Sequence, residues 1–184
     1  MMFIRSERLF LRPGWPEDWA ELYSAIADEG VVRNLARAPW PYTIDDAKAF
    51  APRPQAKLLP HFLVTLPGAD GARLIGCAGL AKSGGEVELG YWIAREHWGQ
   101  GYATEAARAV LRLAETLGHR RILAGHFIDN PASGRVLVKA GFKQTGEPQL
   151  RFSLARGSEI LAVPYAVELG AGSDREGEVL MRAA

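Results

Sequence analysis

Between Glu86 and Leu117 the side-chain pattern changes period across a pair of glycines. Over Glu86–Ala94 polar and apolar residues alternate as in a half-buried strand, with Glu86, Glu88 and Gly90 on one face and Val87, Leu89 and Tyr91 on the other. From Ala103 the apolar residues fall at Ala103, Ala106, Ala107, Val110, Leu111, Ala114 and Leu117, one stripe of a helix that Gly118 can end. Gly99 and Gly101 lie in the loop between. A strand that enters a helix through a glycine loop lets the backbone approach a ligand closely. It also leaves the first helical N–H groups unpaired and aimed outward, where they and the helix dipole favour phosphate or pyrophosphate. An ordinary tight turn is the competing reading of the glycines alone. No Gly-Lys-Ser/Thr follows, so the segment is not a P-loop; it also lacks the third glycine and the spaced acidic residue of a dinucleotide fold.

The rest of the chain alternates less regularly. Phe3–Pro13 reads as a strand ending at Pro13-Gly14, and a first helix is expected near Pro16, with Trp15, Trp19, Leu22 and Ile26 at helical spacing. A second helix opens at Thr43, with Asp46 three residues on as a short capping box, after the stiff proline-rich loop Arg37–Tyr42. His61–Leu66, Arg73–Ala81 and Glu86–Ala94 are expected strands, separated by turns at Pro67-Gly68 and Ser83-Gly84-Gly85. Arg121–Ile128 is a further strand. Asn130-Pro131 then caps a short helix closed by Gly141, a strand starts at Phe142, and Leu150–Leu154 and Ile160–Leu169 are the last ones. Strands in runs, followed by strands alternating with two helices, indicate a mixed α+β sheet. Residues 1–169 are expected to form one domain and Gly170–Ala184 a C-terminal tail.

Composition removes several classes of function. With 184 residues, 48% hydrophobic and 23% charged, the chain has the makeup of a single globular domain. Twenty-two basic against 21 acidic side chains give a net charge of +1, so no global field recruits nucleic acid or an anionic membrane. The longest apolar run, Ile160–Val167, contains Pro164 and is far shorter than the ~20 residues of a membrane span. The N-terminus breaks its apolar run with charge before a signal-peptide core forms, and the lone Cys77 cannot form an intrachain disulfide. A cytoplasmic protein is expected. Its four histidines show no metal-ligand spacing, so no metal is expected, and they read as surface or turn residues.

The segments HWGQGYATEA (His97–Ala106) and NPASGRVLVKAGF (Asn130–Phe142) together resemble the signature of the GNAT superfamily of acyl-CoA-dependent N-acetyltransferases. SERLFLRP (Ser6–Pro13) and APWPYT (Ala38–Thr43) are further similar to its ribosomal-protein N-terminal (alanine) acetyltransferase branch. The likeness runs from about Ser6 to Leu169. It implies the GNAT fold, a central mostly antiparallel mixed sheet splayed after its fourth strand, here Val87–Ala94, with acyl-CoA in the gap. It further implies that the backbone of Ile93 pairs with the pantetheine arm. The N–H groups of Gly99, Gln100, Gly101, Ala103 and Thr104 would receive the pyrophosphate, and Asn130 the pantetheine region. Where the family motif begins with Arg or Gln this chain has Trp98, which removes one side-chain contact and leaves backbone recognition intact.

For catalysis the resemblance implies acetyl transfer to an amine by direct attack in a ternary complex. Glu88 matches a position where relatives often carry a base; an exposed strand carboxylate is the competing reading. Many relatives protonate the leaving thiolate from a tyrosine that falls here on Leu137, so Ser133 or solvent is expected to substitute. Asn130 and Ser133 also have plain helix-start roles as alternatives. Trp40 and Tyr42 on the stiff loop are candidates to line the acceptor mouth, with core packing as the alternative. A covalent route through Cys77 is disfavoured, since no histidine lies near it in sequence. The expected acceptor is a protein N-terminus; the alternatives are a small amine, antibiotic or polyamine, and a non-catalytic acyl-CoA-binding sensor. Monomer and homodimer are both open.

Overall fold

The structure is a computed structural model describing residues 1–69 and 71–170. The N-terminal part contains β1 (Ile4–Arg5), β2 (Phe10–Arg12), a single 3-10 turn at Pro16–Asp18, α1 (Trp19–Ile26), α2 (Glu29–Val32) and α3 (Ile44–Phe50). Three long strands follow, β3 (His61–Gly68), β4 (Gly71–Ser83) and β5 (Glu86–Ile93), and then α4 (Tyr102–Thr116). The remainder is β6 (Arg121–Phe127), α5 (Pro131–Ala140), β7 (Lys143–Gln144), β8 (Gln149–Ser153) and β9 (Ser158–Glu168). The strands form one sheet in the order β1-β2-β3-β4-β5-β6-β9-β7, with β8 also on β9. All pairings are antiparallel except β5 with β6. This is the mixed, mostly antiparallel sheet expected from the sequence.

The alternation in β5 is realised in two cores, one on each face of the sheet. Leu89 and Ile93 are buried with Val87 and Tyr91 against Ala106, Ala107 and Val110 of α4 and Leu137 of α5. Trp92 faces the opposite way and packs with Leu22, Ile26, Val31 and Ala47 under α1–α3. Alanines on α4 let it approach the sheet closely, and its buried stripe repeats every three or four residues as the sequence pattern requires. Thr43 caps α3 by accepting from Asp46 N–H at 3.1 Å, while Asp46 accepts from Thr43 N–H at 2.8 Å, completing the expected capping box.

Several expectations need correction. The single strand Phe3–Pro13 is two short strands, because Ser6 N–H turns back to the Leu9 carbonyl at 3.0 Å. That turn frees Ser6 and Arg8 to bond Glu105 on α4, a partner remote in sequence. The β3–β4 turn lies beyond Pro67-Gly68: both remain in β3, facing Ala72 and Gly71. Pro67 is tolerated there because β2 pairs with β3 only as far as Thr65, so no neighbour on that side needs its missing N–H. α2 was not expected from the sequence; Asp28 caps it through Val31 N–H at 3.2 Å. Of the expected tail only Gly170 falls among the described residues. No helix of the described residues is long and apolar enough to cross a membrane.

Candidate active site

The site follows from the one parallel pairing in the sheet. β5 and β6 share a single register pair, Glu88 with Leu123, and beyond it Gly90–Ile93 and Gly125–Phe127 line a cleft of about 1260 Å³. The volume exceeds the roughly 300–1,000 Å³ of a small-ligand pocket, room for a long cofactor and a second substrate. Gly90, at the floor, would give a Cβ no neighbour within 4 Å, so the space above it is open.

One wall is built from backbone. Gly99 and Gly101 take φ of +75° and +83°, left-handed values that strain any other residue, and Gly101 is the N-cap of α4. Among the described residues no side chain caps that terminus, so the N–H groups of its first turn have no side-chain partner there, and Ala103 and Thr104 line the cleft. This uncapped turn fits the pyrophosphate of an acyl-CoA. The loop is braced from behind: Arg8 donates to the Gln100 carbonyl at 3.0 Å and to Glu105 Oε2 at 2.8 Å, and its guanidinium lies 4.6 Å from the centre of the Tyr102 ring. Burial would raise the Glu105 carboxyl, but bonds from Arg8 and Ser6 outweigh it and hold Glu105 below the usual carboxylate range. Gln100 does not line the cleft; its side chain donates to the Glu96 carbonyl at 3.4 Å. Trp98 lines it and donates from Nε1 to the Ile93 carbonyl at 2.6 Å, so one lone pair of that carbonyl is already engaged.

Across the gap Asn130 caps α5 by accepting from Ser133 N–H at 3.3 Å, which leaves the Asn130 amide nitrogen to donate elsewhere. Ser133 Oγ lies 2.7 Å from the Tyr91 hydroxyl, a bond joining β5 to α5 at the point where the sheet parts. Burial is the main reason that the Tyr91 phenol is pushed up to about 12. Leu137 is buried in the core. His126, read from sequence as a surface or turn residue, instead lines the cleft: its Nδ1 lies 2.9 Å from the Phe127 carbonyl and its ring packs on Gly134. His61 and His97 also line the cleft.

The other wall is built from side chains. Glu88 accepts from Arg151 in a two-pronged bond, with Nη2 at 2.8 Å, and Arg37 Nη2 stands 3.6 Å from the same carboxylate. Tyr42 is buried, and burial pushes its phenol up to about 12. Tyr42 lines the cleft, whereas Trp40 is 37% exposed and is not among the lining residues. Burial also pushes the Cys77 thiol up to about 12, which leaves no thiolate for a covalent route. Tyr91, Arg8, Arg37 and Arg151 were not singled out from sequence as working residues. Arg8 lies within the N-terminal segment that carries the family likeness, the one signal that points to any of them.

The acetyltransferase (GNAT) domain family matches residues 8–143. An uncharacterized N-acetyltransferase of Bacillus subtilis, YoaA, is 42% identical over 152 residues, covering 78% of this chain and 84% of its own. A GNAT-family acetyltransferase from Bacillus anthracis superposes with a TM-score of 0.75 at 24% identity, covering 91% of this chain and 98% of that one. RimL, a ribosomal L7/L12 alpha-N-protein acetyltransferase solved with coenzyme A, gives a TM-score of 0.74 at 17% identity, over 92% and 99% of the two chains.

Proposed function

Since the chain belongs to the GNAT acetyltransferase family and is an acetyl-CoA-dependent acetyltransferase, we propose that its acceptor is a protein N-terminal α-amine, which attacks directly in a ternary complex. The observation that carries this reading is the forked ion pair on Glu88. Each carboxylate oxygen has two lone pairs, and Arg151 takes one on each. The remaining pairs orient an amine and accept one proton, but half of the carboxylate's capacity is already in use. An α-amine asks for no more. With a pKa of about 7.7–8.0, it becomes a free nucleophile at neutral pH for under about 1.5 kcal/mol, against roughly 4 kcal/mol for a lysine at about 10.4. The RimL likeness supports the same acceptor class.

In this reading the N–H groups of Gly99, Gly101, Ala103 and Thr104, without Gln100, hold the pyrophosphate, and Ile93 and Asn130 the pantetheine arm. Bound acetyl-CoA supplies a thioester with a thiol leaving group. Glu88 orients the amine and takes its proton, and Tyr42 lines the approach. Ser133 faces the leaving sulfur, with its hydroxyl oriented by Tyr91. A phenol at about 12 stays protonated beside a thiol whose ordinary pKa is about 8.5, so Tyr91 acts as a hydrogen-bond donor and not as the acid. Holding amine and thioester together in one cleft supplies much of the acceleration.

The test is acceptor-dependent release of thiol from acetyl-CoA. We expect release with peptides bearing a free α-amine, and little with peptides whose N-terminus is blocked and whose only amine is a lysine. Release confined to the lysine peptides or to polyamines would overturn the acceptor assignment.

A further inference from the structure

Two carboxylates line the cleft in the same way, each held by two arginines. Glu88 is forked by Arg151 and approached by Arg37 at 3.6 Å. Asp129 is forked by Arg156 at 2.8 and 2.9 Å and contacted by Arg33 at 3.2 Å. Arg156, first among its causes, holds the Asp129 carboxyl below the usual carboxylate range. Each group of three carries one positive charge more than its acid balances. Arg53 also lines the cleft, over the Phe50 ring, and among the described residues no carboxylate lies within 4.0 Å of it. The third acid lining the cleft, Asp46, is bound to Thr43 in the α3 cap. The cleft around Glu88 is therefore net positive in a protein whose overall charge is only +1.

Arg37 is the arginine beside Glu88 that keeps donors to spare. Its side chain is 58% exposed, and it reaches the Lys82 carbonyl at 2.9 Å through the same nitrogen that approaches Glu88, so its other N–H groups point to no partner among the described residues. A guanidinium fork held at the edge of a cleft suits a planar carboxylate.

We propose that the acceptor site selects an amine whose molecule also carries a carboxylate close by: an N-terminal peptide with Asp or Glu among its first residues, received by Arg37 beside the Glu88–Arg151 pair. The proposal rests on the N-terminal acceptor reading above and adds its charge preference. A polyamine or a lysine-rich N-terminus would bring further positive charge towards the unbalanced arginines, and like-charge juxtaposition lowers both encounter and affinity.

The experiment compares three peptides of one sequence with Asp, Ala or Lys at the second position, together with free aspartate and spermidine, on wild type and Arg37→Glu. We expect kcat/KM to rank Asp above Ala above Lys in the wild type, with about tenfold or more between the ends, as a hydrogen bond to a charged group warrants. Arg37→Glu should reverse the order of Asp and Lys. Calorimetric binding of the corresponding N-acetylated peptides to the CoA-loaded protein reads the same ranking without turnover. Equal use of the three peptides, or a Lys preference in the wild type, overturns the charge selection and leaves the N-terminal reading standing. Acetylation of free aspartate with no peptide accepted keeps the charge selection and overturns the N-terminal reading. A wild-type ranking that Arg37→Glu leaves unchanged removes Arg37 from the proposal.

Discussion

The two walls of the cleft are made of different material. The wall beside α4 is backbone: two glycines with positive φ, an uncapped helix terminus and a strand edge, all between Glu86 and Thr104. The wall beside α1–α3 is side chains from separate parts of the chain, with Glu88 and Arg151 meeting across 63 residues. A wall of backbone is indifferent to most side-chain substitutions. A wall of side chains can be rewritten one residue at a time, so under the proposed assignment acceptor choice is free to change while cofactor handling stays fixed.

The largest effect should come from the side-chain wall. Glu88→Gln keeps the shape and removes the charge and the proton acceptor. We expect kcat to fall about 100-fold, the low end for losing a general base, and the acid limb of the pH–rate profile to flatten. Acetyl-CoA affinity, measured by calorimetry, should be unchanged. An unaltered profile would remove Glu88 from proton transfer, and a matching loss of acetyl-CoA affinity would show that the walls are not independent.

A smaller effect is expected from the backbone wall. Gly101 sits at φ +83° with no crowding at its Cβ position beyond Arg8 at 3.5 Å, so Gly101→Ala tests conformation and not space. Holding alanine in the left-handed region costs about 1–2 kcal/mol. If the loop relaxes to avoid that strain, acetyl-CoA binding should weaken roughly 5- to 30-fold. Turnover at saturating cofactor should stay close to wild type. Unweakened binding would mean that the positive φ at Gly101 is not needed to present the α4 terminus.

The same division explains what could be read from the sequence. The sheet class, α4, the cap at Thr43 and the glycine loop before α4 are legible because each is set by residues close in sequence: a period, a glycine, a cap. The split of the first strand was not, because its cause is Glu105, reached by Ser6 and Arg8 only after folding. Glu88 could be nominated from alternation and family likeness, but nothing near it in sequence announces Arg37 or Arg151. His126 has no ligand spacing and reads as a surface residue, whereas in the fold Gly134 packs on its ring. Trp40 shows the converse: a rigid loop favours an aromatic contact, but only the fold decides which aromatic, and here Tyr42 faces the cleft.

The smallest effect should come from the seam between the walls, where Tyr91 on β5 meets Ser133 on α5. Tyr91→Phe removes a hydroxyl that meets Ser133 Oγ at 2.7 Å and donates to the Ser133 carbonyl at 3.2 Å; at about 0.5–1.5 kcal/mol for a net hydrogen bond, kcat should fall roughly 2- to 10-fold. The KM for acetyl-CoA should hold steady. If Tyr91 acts through Ser133 as proposed, combining Tyr91→Phe with Ser133→Ala should cost little more than Ser133→Ala alone. Full additivity would place Tyr91 outside the thiol-facing hydroxyl pair. The phenol also carries a pH signature. Burial raises its folded value to about 12, above the ordinary tyrosine value of about 10, so the stability it contributes is complete below about 10 and is lost as pH rises towards about 12. Phenylalanine has no proton to lose there. Alkaline unfolding, followed by circular dichroism, should therefore be less steep in Tyr91→Phe than in wild type, with the burial of Tyr42 still contributing in both. Identical alkaline curves would mean that Tyr91 ionises as freely in the folded protein as in the unfolded chain, and that the seam is open to water.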